Sequence, residues 1–436
     1  MARRSKWLMF VVVLFLISPA FAFWGRDVNR VTKGRVIDVS SGEPIKGAMI
    51  TAGTDVMVTG DDGAFTVQGP STMIGVRACG YSRASAPVPD SPGWTPLEIR
   101  LKPFKPKALY LTYYGIGDRS LRGRALKLIE ETELNSLVID VKGDGGVITY
   151  KSDIPLASEI GAQKLVIVKD IKGLLGTLKE RGIYTIARIV VFKDNVLGAA
   201  RPDLAIKTVN GLPWRDREGL LWMDASRREV WEYNIAIAEE AAKNGFDEIQ
   251  FDYVRFPDHS KGLAFAVENT EANRVNAISG FLKEARQRLT PYNVFLSADI
   301  FGYAAWNLND TQIGQRLDSI APFVDYLSLM LYPSGFQFGI PGYRNPVEHP
   351  YEIVFRSLER ARERTGLPSV RFRPWLQNFR DYAFDKRNFF GPEIRTQISA
   401  ADTFGSGGWM LWNARNEYFS EGLNRKTPDE PIIGIR

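Results

Sequence analysis

The chain has 436 residues, of which 56 are Lys or Arg and 50 are Asp or Glu, and 44% of all residues are hydrophobic. This composition is that of a folded globular protein and excludes wholesale disorder and fibrous repeats. With one cysteine and two histidines, the chain can form neither an intramolecular disulfide nor a cysteine-based zinc site nor a histidine-rich metal centre. We therefore expect any enzymatic chemistry to depend on carboxylates.

The N-terminus has the pattern of a secretory signal peptide. Three basic residues within the first six positions precede an apolar run from Trp7 to Ile17, and Ser18 to Ala22 supply small residues for cleavage. Cleavage after residue 22 leaves 53 basic against 50 acidic side chains, which gives no electrostatic argument for nucleic acid. We predict a periplasmic or extracellular protein. The alternative is an uncleaved inner-membrane anchor, although the run is shorter than the roughly 20 residues that span a bilayer.

Residues 31–102 contain short alternating segments separated by Gly, Asp and Pro, a pattern that predicts a small all-β sandwich. Three motifs in this region resemble the carboxypeptidase-regulatory-like β-sandwich found beside many secreted enzymes: Gly34-Arg-Val-Ile-Asp38, Gly42-Glu-Pro-Ile-Lys-Gly-Ala48 and Thr59-Gly-Asp-Asp-Gly-Ala-Phe65. No catalytic constellation is visible in the region. We expect a role in spacing, folding or envelope attachment, with ligand binding as the alternative.

After a linker at residues 103–107, apolar strand-like segments alternate with amphipathic helical segments up to residue 420. The predicted strands are Ala108–Tyr114, Ser136–Val141, Tyr184–Val191, Glu248–Asp252, Val294–Asp299, Val324–Met330, Val370–Leu376 and Gly408–Trp412. The predicted helices are Ser120–Leu134, Asp170–Arg181, Arg228–Asn244, Glu268–Leu289 and Pro350–Thr365. Apolar strands separated by helices are typical of a parallel sheet that is covered on both faces.

Eight such units at residues 108–420 favour an α/β fold of the (β/α)8 TIM-barrel type, followed by a C-terminal tail at 421–436. An open doubly wound sheet is the alternative. It is disfavoured because the chain lacks a glycine-rich phosphate fingerprint: Gly115-Ile-Gly117 is followed by Asp118 and Arg119 without the third glycine.

The active site of such a barrel lies at the carboxyl ends of its strands. Asp252 ends the predicted fourth strand, where Arg188 of the third strand would be its neighbour and would favour the ionised carboxylate. Asp299 ends the predicted fifth strand and becomes a proton donor if apolar surroundings raise its pKa. Glycosidases use such a pair, one carboxyl as acid and the other as nucleophile or base. We predict these roles for Asp299 and Asp252, respectively.

The other predicted site residues either position charge or bind sugar rings. The charged group comprises Asp140, Lys142, Arg188 and Arg255, and the sugar-binding group comprises Tyr332, Trp375, Gln377, Trp412 and Asn413. Neither a metal nor an organic cofactor is required. The alternative for the acidic residues is a buried ion-pair network with the arginines and Lys142 that only stabilises the barrel.

The sequence also resembles a known family. The segment Phe246-Asp-Glu-Ile-Gln-Phe-Asp-Tyr-Val-Arg-Phe-Pro257 is similar to bacterial glycoside hydrolase-like domains of unknown function that are grouped with the glycosidase TIM barrels. Ser297-Ala-Asp-Ile-Phe-Gly302, Arg373-Pro-Trp-Leu-Gln377 and Gly408-Trp-Met-Leu-Trp-Asn413 agree with it. The resemblance covers about residues 108–420 and implies a (β/α)8 fold and polysaccharide hydrolysis.

A more distant resemblance concerns the catalytic pair. The Asp that closes strand four is similar to the nucleophile of α-amylase-like and α-galactosidase-like barrels, which falls on Asp252. Amylase-like enzymes place a Glu after strand five, whereas this chain has Asp299. The identity of the acid therefore stays open.

Three functions remain in competition. The first is an exported glycosidase whose partner is an extracellular or cell-envelope polysaccharide or oligosaccharide. The second is a carbohydrate-binding or scaffold protein that keeps the barrel without the chemistry. The third, an enzyme for a phosphorylated metabolite, is disfavoured by the predicted export and by the absence of a glycine-rich phosphate loop.

Overall fold

The computed structural model describes residues 31–88, 96–259 and 261–426. The predicted signal peptide and the last ten residues of the predicted tail lie outside these ranges. Among the described residues, none of the helices combines the length and the apolar character that a membrane crossing requires.

The N-terminal region forms two facing β-sheets, which we call the sandwich. Its strands are β1 (Val31–Asp38), β2 (Met49–Ala52), β3 (Asp55–Val58), β4 (Ala64–Gln68), β5 (Met73–Arg77), β6 (Ala84–Pro87) and β7 (Leu97–Leu101). One sheet has the order β4-β1-β7 and the other β3-β2-β5-β6. Alternating residues of both sheets, such as Val36, Ile50 and Val76, form a separate hydrophobic core.

Eight parallel strands then close into a barrel. They are β8 (Lys107–Leu111), β9 (Ser136–Lys142), β10 (Tyr184–Val190), β12 (Glu248–Asp252), β14 (Phe295–Phe301), β15 (Tyr326–Met330), β16 (Trp375–Gln377) and β17 (Trp409–Trp412). Each strand pairs with the next one in this order, and β17 pairs with β8. Strands β11 (Lys207–Thr208) and β13 (Leu263–Ala264) form a separate two-stranded ribbon. The predicted fold class is confirmed, and the alternative of an open sheet is wrong.

The helices lie between the barrel strands. They are α1 (Tyr113–Gly117), α2 (Arg119–Glu131), α3 (Pro155–Glu159), α4 (Ile171–Glu180), α5 (Asn195–Ala200), α6 (Arg228–Asn244), α7 (Glu271–Leu289), α8 (Leu317–Ile320), α9 (Pro350–Thr365) and α10 (Gly391–Phe404). Strand β12 and helices α6 and α9 have the predicted bounds, whereas α10 was not among the predicted helices. The long amphipathic helices bury one apolar face against the barrel, which explains why periodicity located them.

Five predicted strands are shorter in the structure, and for the first and the seventh a local helical turn explains the new boundary. The first strand ends at Leu111 because the Thr112 side chain accepts a hydrogen bond from the backbone N–H of Gly115 and thereby starts α1. The seventh strand is reduced to Trp375–Gln377 because Ser369–Arg371 form a turn of 3-10 helix.

The sandwich packs on the amino-terminal end of the barrel, opposite the end that would hold a site. Arg83 of the sandwich bonds Asp247, with Nη2 2.9 Å from Oδ1, and Nη1 lies 3.2 Å from the backbone oxygen of Asn293. The backbone N–H of Gly80 donates to the hydroxyl of Tyr326 at 3.1 Å. A Cβ at Gly75 would lie 2.7 Å from Cγ of Asn293, so the two parts touch without space for a side chain there.

We predict that Arg83→Ala lowers the free energy of unfolding by about 1–3 kcal/mol, because a partly buried, charge-assisted contact between sandwich and barrel is lost. Urea unfolding followed by circular dichroism measures this change. Arg100→Ala is the matched control, since Arg100 contacts only the exposed Glu98 of its own strand. An equal effect of both substitutions would contradict the prediction.

Candidate active site

One buried arginine joins three strands at the carboxyl end of the barrel. Nε and Nη2 of Arg188 (β10) lie 2.9 and 2.6 Å from Oδ2 of Asp252 (β12), and Nη1 lies 2.6 Å from Oδ1 of Asp140 (β9). Parallel pairing explains the arrangement, since β10 lies between β9 and β12. Arg188 pairs with Asp140 of β9 in the strand register, and Asp252 is the last residue of β12. Two carboxylates share one guanidinium, so the cluster carries an excess of negative charge when both are ionised.

Aromatic rings complete the surroundings of this arginine. The hydroxyl of Tyr110 donates to Oδ2 of Asp140 at 2.7 Å, and the Tyr110 ring stacks on Trp412 with 4.0 Å between centroids. The guanidinium of Arg188 lies over both rings, 5.3 Å from Tyr110 and 4.9 Å from Trp412. Burial opposes the charge of Arg188, but Asp252 and Asp140 raise its pKa well above the ordinary value. The pKa of Asp140 is raised by burial, although Arg188 and Tyr110 counteract the effect.

Strained backbone holds the second oxygen of Asp252. Tyr253 has φ of +48°, and its backbone N–H donates to Oδ1 of Asp252 at 2.6 Å. A tyrosine in the left-handed region costs about 1–3 kcal/mol, and such strain persists where the surroundings fix it, often at functional sites. Both Asp252 oxygens are therefore oriented by the protein, while the residue keeps 6% of its surface exposed.

Asp299 lies beside Asp252 in a different environment. Phe251 pairs with Ala298 in the strand register, so the next residues, Asp252 and Asp299, lie at the same level on adjacent strands. Asp299 is 1% exposed; its Oδ1 accepts a hydrogen bond from Nε1 of Trp375 at 2.7 Å, and its buried Oδ2 has no partner among the described residues. Burial, and then the charge of Asp252, raise the pKa of Asp299 well above the ordinary value. Asp299 therefore binds its proton more tightly than an ordinary aspartate and lies next to Asp252.

A cleft of about 230 Å³ opens at this end of the barrel. Arg188, Asp252 and Arg255 supply its charged side, and aromatic side chains from the later strands and their loops supply most of the remainder. The lining aromatic residues are Tyr253, Phe301, Tyr303, Tyr332, Phe336, Trp375, Tyr382 and Trp412. Such surfaces stack on the apolar faces of sugar rings. Of the predicted site residues, the cleft therefore contains Asp252, Arg188, Arg255, Tyr332, Trp375 and Trp412.

Five predicted site residues do not line the cleft. Asp299 and Asp140 lie buried behind it, where Asp299 bonds Trp375 and Asp140 bonds Arg188. The other three, Lys142, Gln377 and Asn413, bond groups elsewhere in the fold.

A bulge in β9 pairs Ile189 with Lys142 instead of Val141, which turns Lys142 towards the helices. There Lys142 is fully buried and its Nζ lies 2.6 Å from Oδ2 of Asp194. Regular alternation, which would place Lys142 on the same face as Asp140, was the wrong assumption.

Gln377 and Asn413 were predicted as sugar ligands, but both are buried in the loop framework. The Gln377 amide nitrogen bonds Oγ of Ser334 at 2.7 Å and its amide oxygen accepts from the Ser334 backbone. The Asn413 amide donates to the backbone oxygens of Asn378 and Glu417. Their amide groups are used to fix loops and do not line the cleft.

Several residues of the site were not predicted from the sequence. Tyr110 alternates with Ala108 on the first strand, so strand periodicity could have placed it inside the barrel. Phe301, Tyr303, Phe336 and Tyr382 come from loops or strand ends, where no periodic signal marks the facing of a side chain.

A deeper ion pair shows that charge inside this barrel also has a structural use. Arg373 bonds Glu248, with Nη1 2.5 Å from Oε2, and Tyr184 and Ser297 donate hydrogen bonds to the same carboxylate. Both charged residues are fully buried and have no access to the cleft. Among the described residues, no three His, Cys, Asp or Glu side chains are arranged to hold a metal ion.

The chain matches a family model and a number of solved structures. The model of a family described as "putative glycosyl hydrolase domain" matches residues 108–418. No curated protein matches the chain.

Two solved structures illustrate the structural matches. A hypothetical protein from Ruminiclostridium thermocellum is 41% identical to this chain; the match covers 44% of this chain and 96% of that chain, with a TM-score of 0.39. The glycoside hydrolase domain of PgaB (BpsB) from Bordetella bronchiseptica is 15% identical, with 72% of this chain and 95% of that chain covered and a TM-score of 0.53. The second match shows that the two share a fold.

We predict that Asp299→Asn becomes more stable relative to the wild type as the pH rises above about 4. The ordinary Asp pKa is about 3.9, and the pKa of folded Asp299 is well above it. The wild type therefore loses stability as the pH rises from the unfolded towards the folded pKa, whereas Asn does not titrate. Urea unfolding between pH 4 and pH 8 measures the difference.

Asp203→Asn is the control for this titration. Asp203 is exposed, and its hydrogen bond from Arg201 lowers its pKa, so its contribution to stability changes only below about pH 4, and the relative stability of this variant should stay nearly constant between pH 4 and pH 8. If the Asp299→Asn difference stayed constant over the range, Asp299 would not hold its proton more tightly in the folded protein.

Proposed function

The chain belongs to the glycosyl hydrolase domain family, and from this premise we propose that it is an exported hydrolase of an extracellular or cell-envelope polysaccharide. In this proposal Asp252 is the nucleophile or base and Asp299 is the proton donor. The observation that carries it is the pair of adjacent carboxyls in contrasting environments, Asp252 beside Arg188 and Asp299 buried without a cation of its own. Where the surroundings of two carboxyls push their pKa values apart, one carboxyl can act as the acid and the other as the base.

The proposed reaction assigns one step to each carboxyl. Asp299 gives its proton to the glycosidic oxygen as the bond to the anomeric carbon breaks, and Asp252 attacks that carbon or removes a proton from the attacking water. Arg188 orients Asp252 through two hydrogen bonds to Oδ2, and Tyr253 supports the orientation through its backbone N–H. Asp299 is 1% exposed, so proton transfer requires the Trp375 side chain, which covers Asp299 and lines the cleft, to adjust when the substrate binds.

The composition of the cleft supports a carbohydrate substrate. Eight of its fourteen lining residues are aromatic, and its charged side holds two arginines with one aspartate. Aromatic faces bind sugar rings by stacking, and the charged groups bond sugar hydroxyls. The sandwich packs on the opposite end of the barrel, so attachment to the envelope through the sandwich would leave the cleft free for a polymer.

The second candidate is a carbohydrate-binding protein without catalysis. One observation favours it: both oxygens of Asp252 are already bonded, and Asp299 is shielded from solvent. A satisfied network of this kind could serve stability alone. It predicts glycan binding without the release of new chain ends.

We predict that incubation of the protein with a panel of bacterial exopolysaccharides releases new reducing ends from at least one of them. Asp252→Asn should reduce kcat by about 10²–10⁴-fold, because the anionic group is lost while its shape remains. The variant should fold but melt below the wild type, since the single amide oxygen of Asn can accept from Tyr253 or from Arg188 but not from both. Turnover is therefore compared at a temperature at which both proteins are folded.

Asp203→Asn, which removes an exposed aspartate, serves as the activity control. Unchanged turnover by Asp252→Asn would exclude the assigned role. Binding of a glycan without new reducing ends, unaffected by the substitution, would favour the second candidate.

We also predict that the cleaved bond keeps its anomeric configuration. Asp252 and Asp299 lie side by side on adjacent strands, and such strands are about 4.8 Å apart, which favours the separation of about 5–5.5 Å of retaining enzymes over about 6.5–9.5 Å in inverting enzymes. Proton NMR of the first product released identifies its anomer. The opposite anomer would show that a water molecule fits between the two carboxyls.

A further inference from the structure

A second cavity lies between the sandwich and the barrel, at the opposite end from the cleft. We call it the junction cavity; its volume is about 380 Å³. Met49, Arg77 and Cys79 line it from the sandwich, and Arg286, Asp318, Asp325 and Arg371 line it from the barrel. Three arginines against two aspartates leave one positive charge in excess.

The guanidinium of Arg77 is buried but poorly partnered. Arg77 is 2% exposed, and its Nε has no hydrogen-bond acceptor within the described ranges. Its nearest carboxylate oxygen, Oδ2 of Asp325, lies 3.7 Å from Nε, which is too far for a hydrogen bond. Nη1 lies 3.4 Å from Oδ1 of Asn293, and Nη2 lies 2.8 Å from Sδ of Met49, a weak acceptor.

Arg286 points to the same place from helix α7. Its Nη1 bonds Oδ1 of Asp325 at 2.7 Å, while its Nη2 lies 3.7 Å from Sδ of Met49. The two guanidinium groups therefore converge on one thioether. The Asp325 carboxylate is already used by Arg286 and by the backbone N–H of Leu296, so it does not neutralise both arginines.

The remaining charged residues do not supply the missing acceptor. Asp318 pairs with Arg316 at 3.2 Å and its side chain is 55% exposed. Arg371 donates to backbone oxygens, including those of Asp325 and Val324. Burial lowers the pKa of Arg77 to about 10, with Arg286 adding repulsion and Asp325 offsetting part of it. A buried arginine that shares its one carboxylate, Asp325, with a second arginine is costly unless a further anion enters the cavity.

We propose that the junction cavity binds a small oxyanion, of the phosphate or carboxylate class, between Arg77 of the sandwich and Arg286 of the barrel. Guanidinium groups bind such anions through charge-assisted hydrogen bonds. The anion occupies the space around Sδ of Met49 and joins the sandwich to the barrel. Free phosphate and the carboxylate of an acidic sugar present the same chemistry.

The test is calorimetric titration of the full-length protein with inorganic phosphate and, separately, with glucuronate, each in buffer of matched ionic strength made with chloride. Saturable binding of one anion per chain is expected, together with a rise in melting temperature that follows the anion concentration. A stronger response to phosphate identifies a free inorganic ion as the ligand, and a stronger response to glucuronate identifies an acidic sugar. No saturable response to either anion beyond that of chloride overturns the proposal.

Arg286→Gln should weaken binding by about tenfold or more, since one charge-assisted contact is lost. Arg356→Gln is the matched control, because Arg356 pairs with Glu359 on the exposed face of α9. Anion binding that is unchanged in Arg286→Gln would overturn the assigned site.

Arg77→Met separates an anion site from a purely structural ion pair and keeps the proposal testable if Arg286→Gln does not fold. Without added anion, this variant should melt at or above the wild-type temperature, because a buried charge that shares its one carboxylate is removed. In saturating phosphate it should melt below the wild type, because only the wild type binds the anion. A lower melting temperature by the same margin in both buffers would mean that Arg77 acts only through Asp325.

Discussion

The organisation of the site depends on the sharing of Arg188 between Asp140 and Asp252. A buried guanidinium without carboxylates would be too costly, and a pair of buried carboxylates without the guanidinium would take up protons. Arg188 bonds these two partners, and no cation bonds Asp299 within the described part of the chain, so burial and the charge of Asp252 raise the pKa of Asp299. The contrast between the neighbouring aspartates therefore follows from which of them Arg188 reaches.

The fold provides this contrast through strand register. Parallel pairing places Arg188 beside Asp140, and it places Asp252 and Asp299 at one level. The bulge in β9 removes Lys142 from the interior, where a second cation would neutralise the cluster. The sandwich packs on the opposite end of the barrel, so it leaves the end with the cleft uncovered.

Sequence patterns predicted the barrel because its strands are apolar on both faces and its long helices have an apolar face. The same patterns placed Asp252, Arg188 and Trp412 correctly at strand ends. They failed for Lys142, because a bulge changes facing without a marked change in composition, and for Gln377 and Asn413, because amides bond backbone groups of nearby loops. The convergence of Arg77 and Arg286 joins residues more than 200 positions apart, and no local pattern predicts such a contact.

The contrast between the two aspartates requires that folded Asp299 binds its proton more tightly than an ordinary aspartate, because of its burial and the charge of Asp252. Carbon-13 NMR of the aspartate carboxyl groups follows the protonation of Asp299 during a pH titration. The variants Asp252→Asn and Asp299→Asn assign the signals. The account predicts that the Asp299 signal titrates well above the ordinary aspartate range and that its midpoint falls in Asp252→Asn, where the neighbouring charge is absent. Titration of Asp299 in the ordinary range, or a midpoint that Asp252→Asn leaves unchanged, would contradict it.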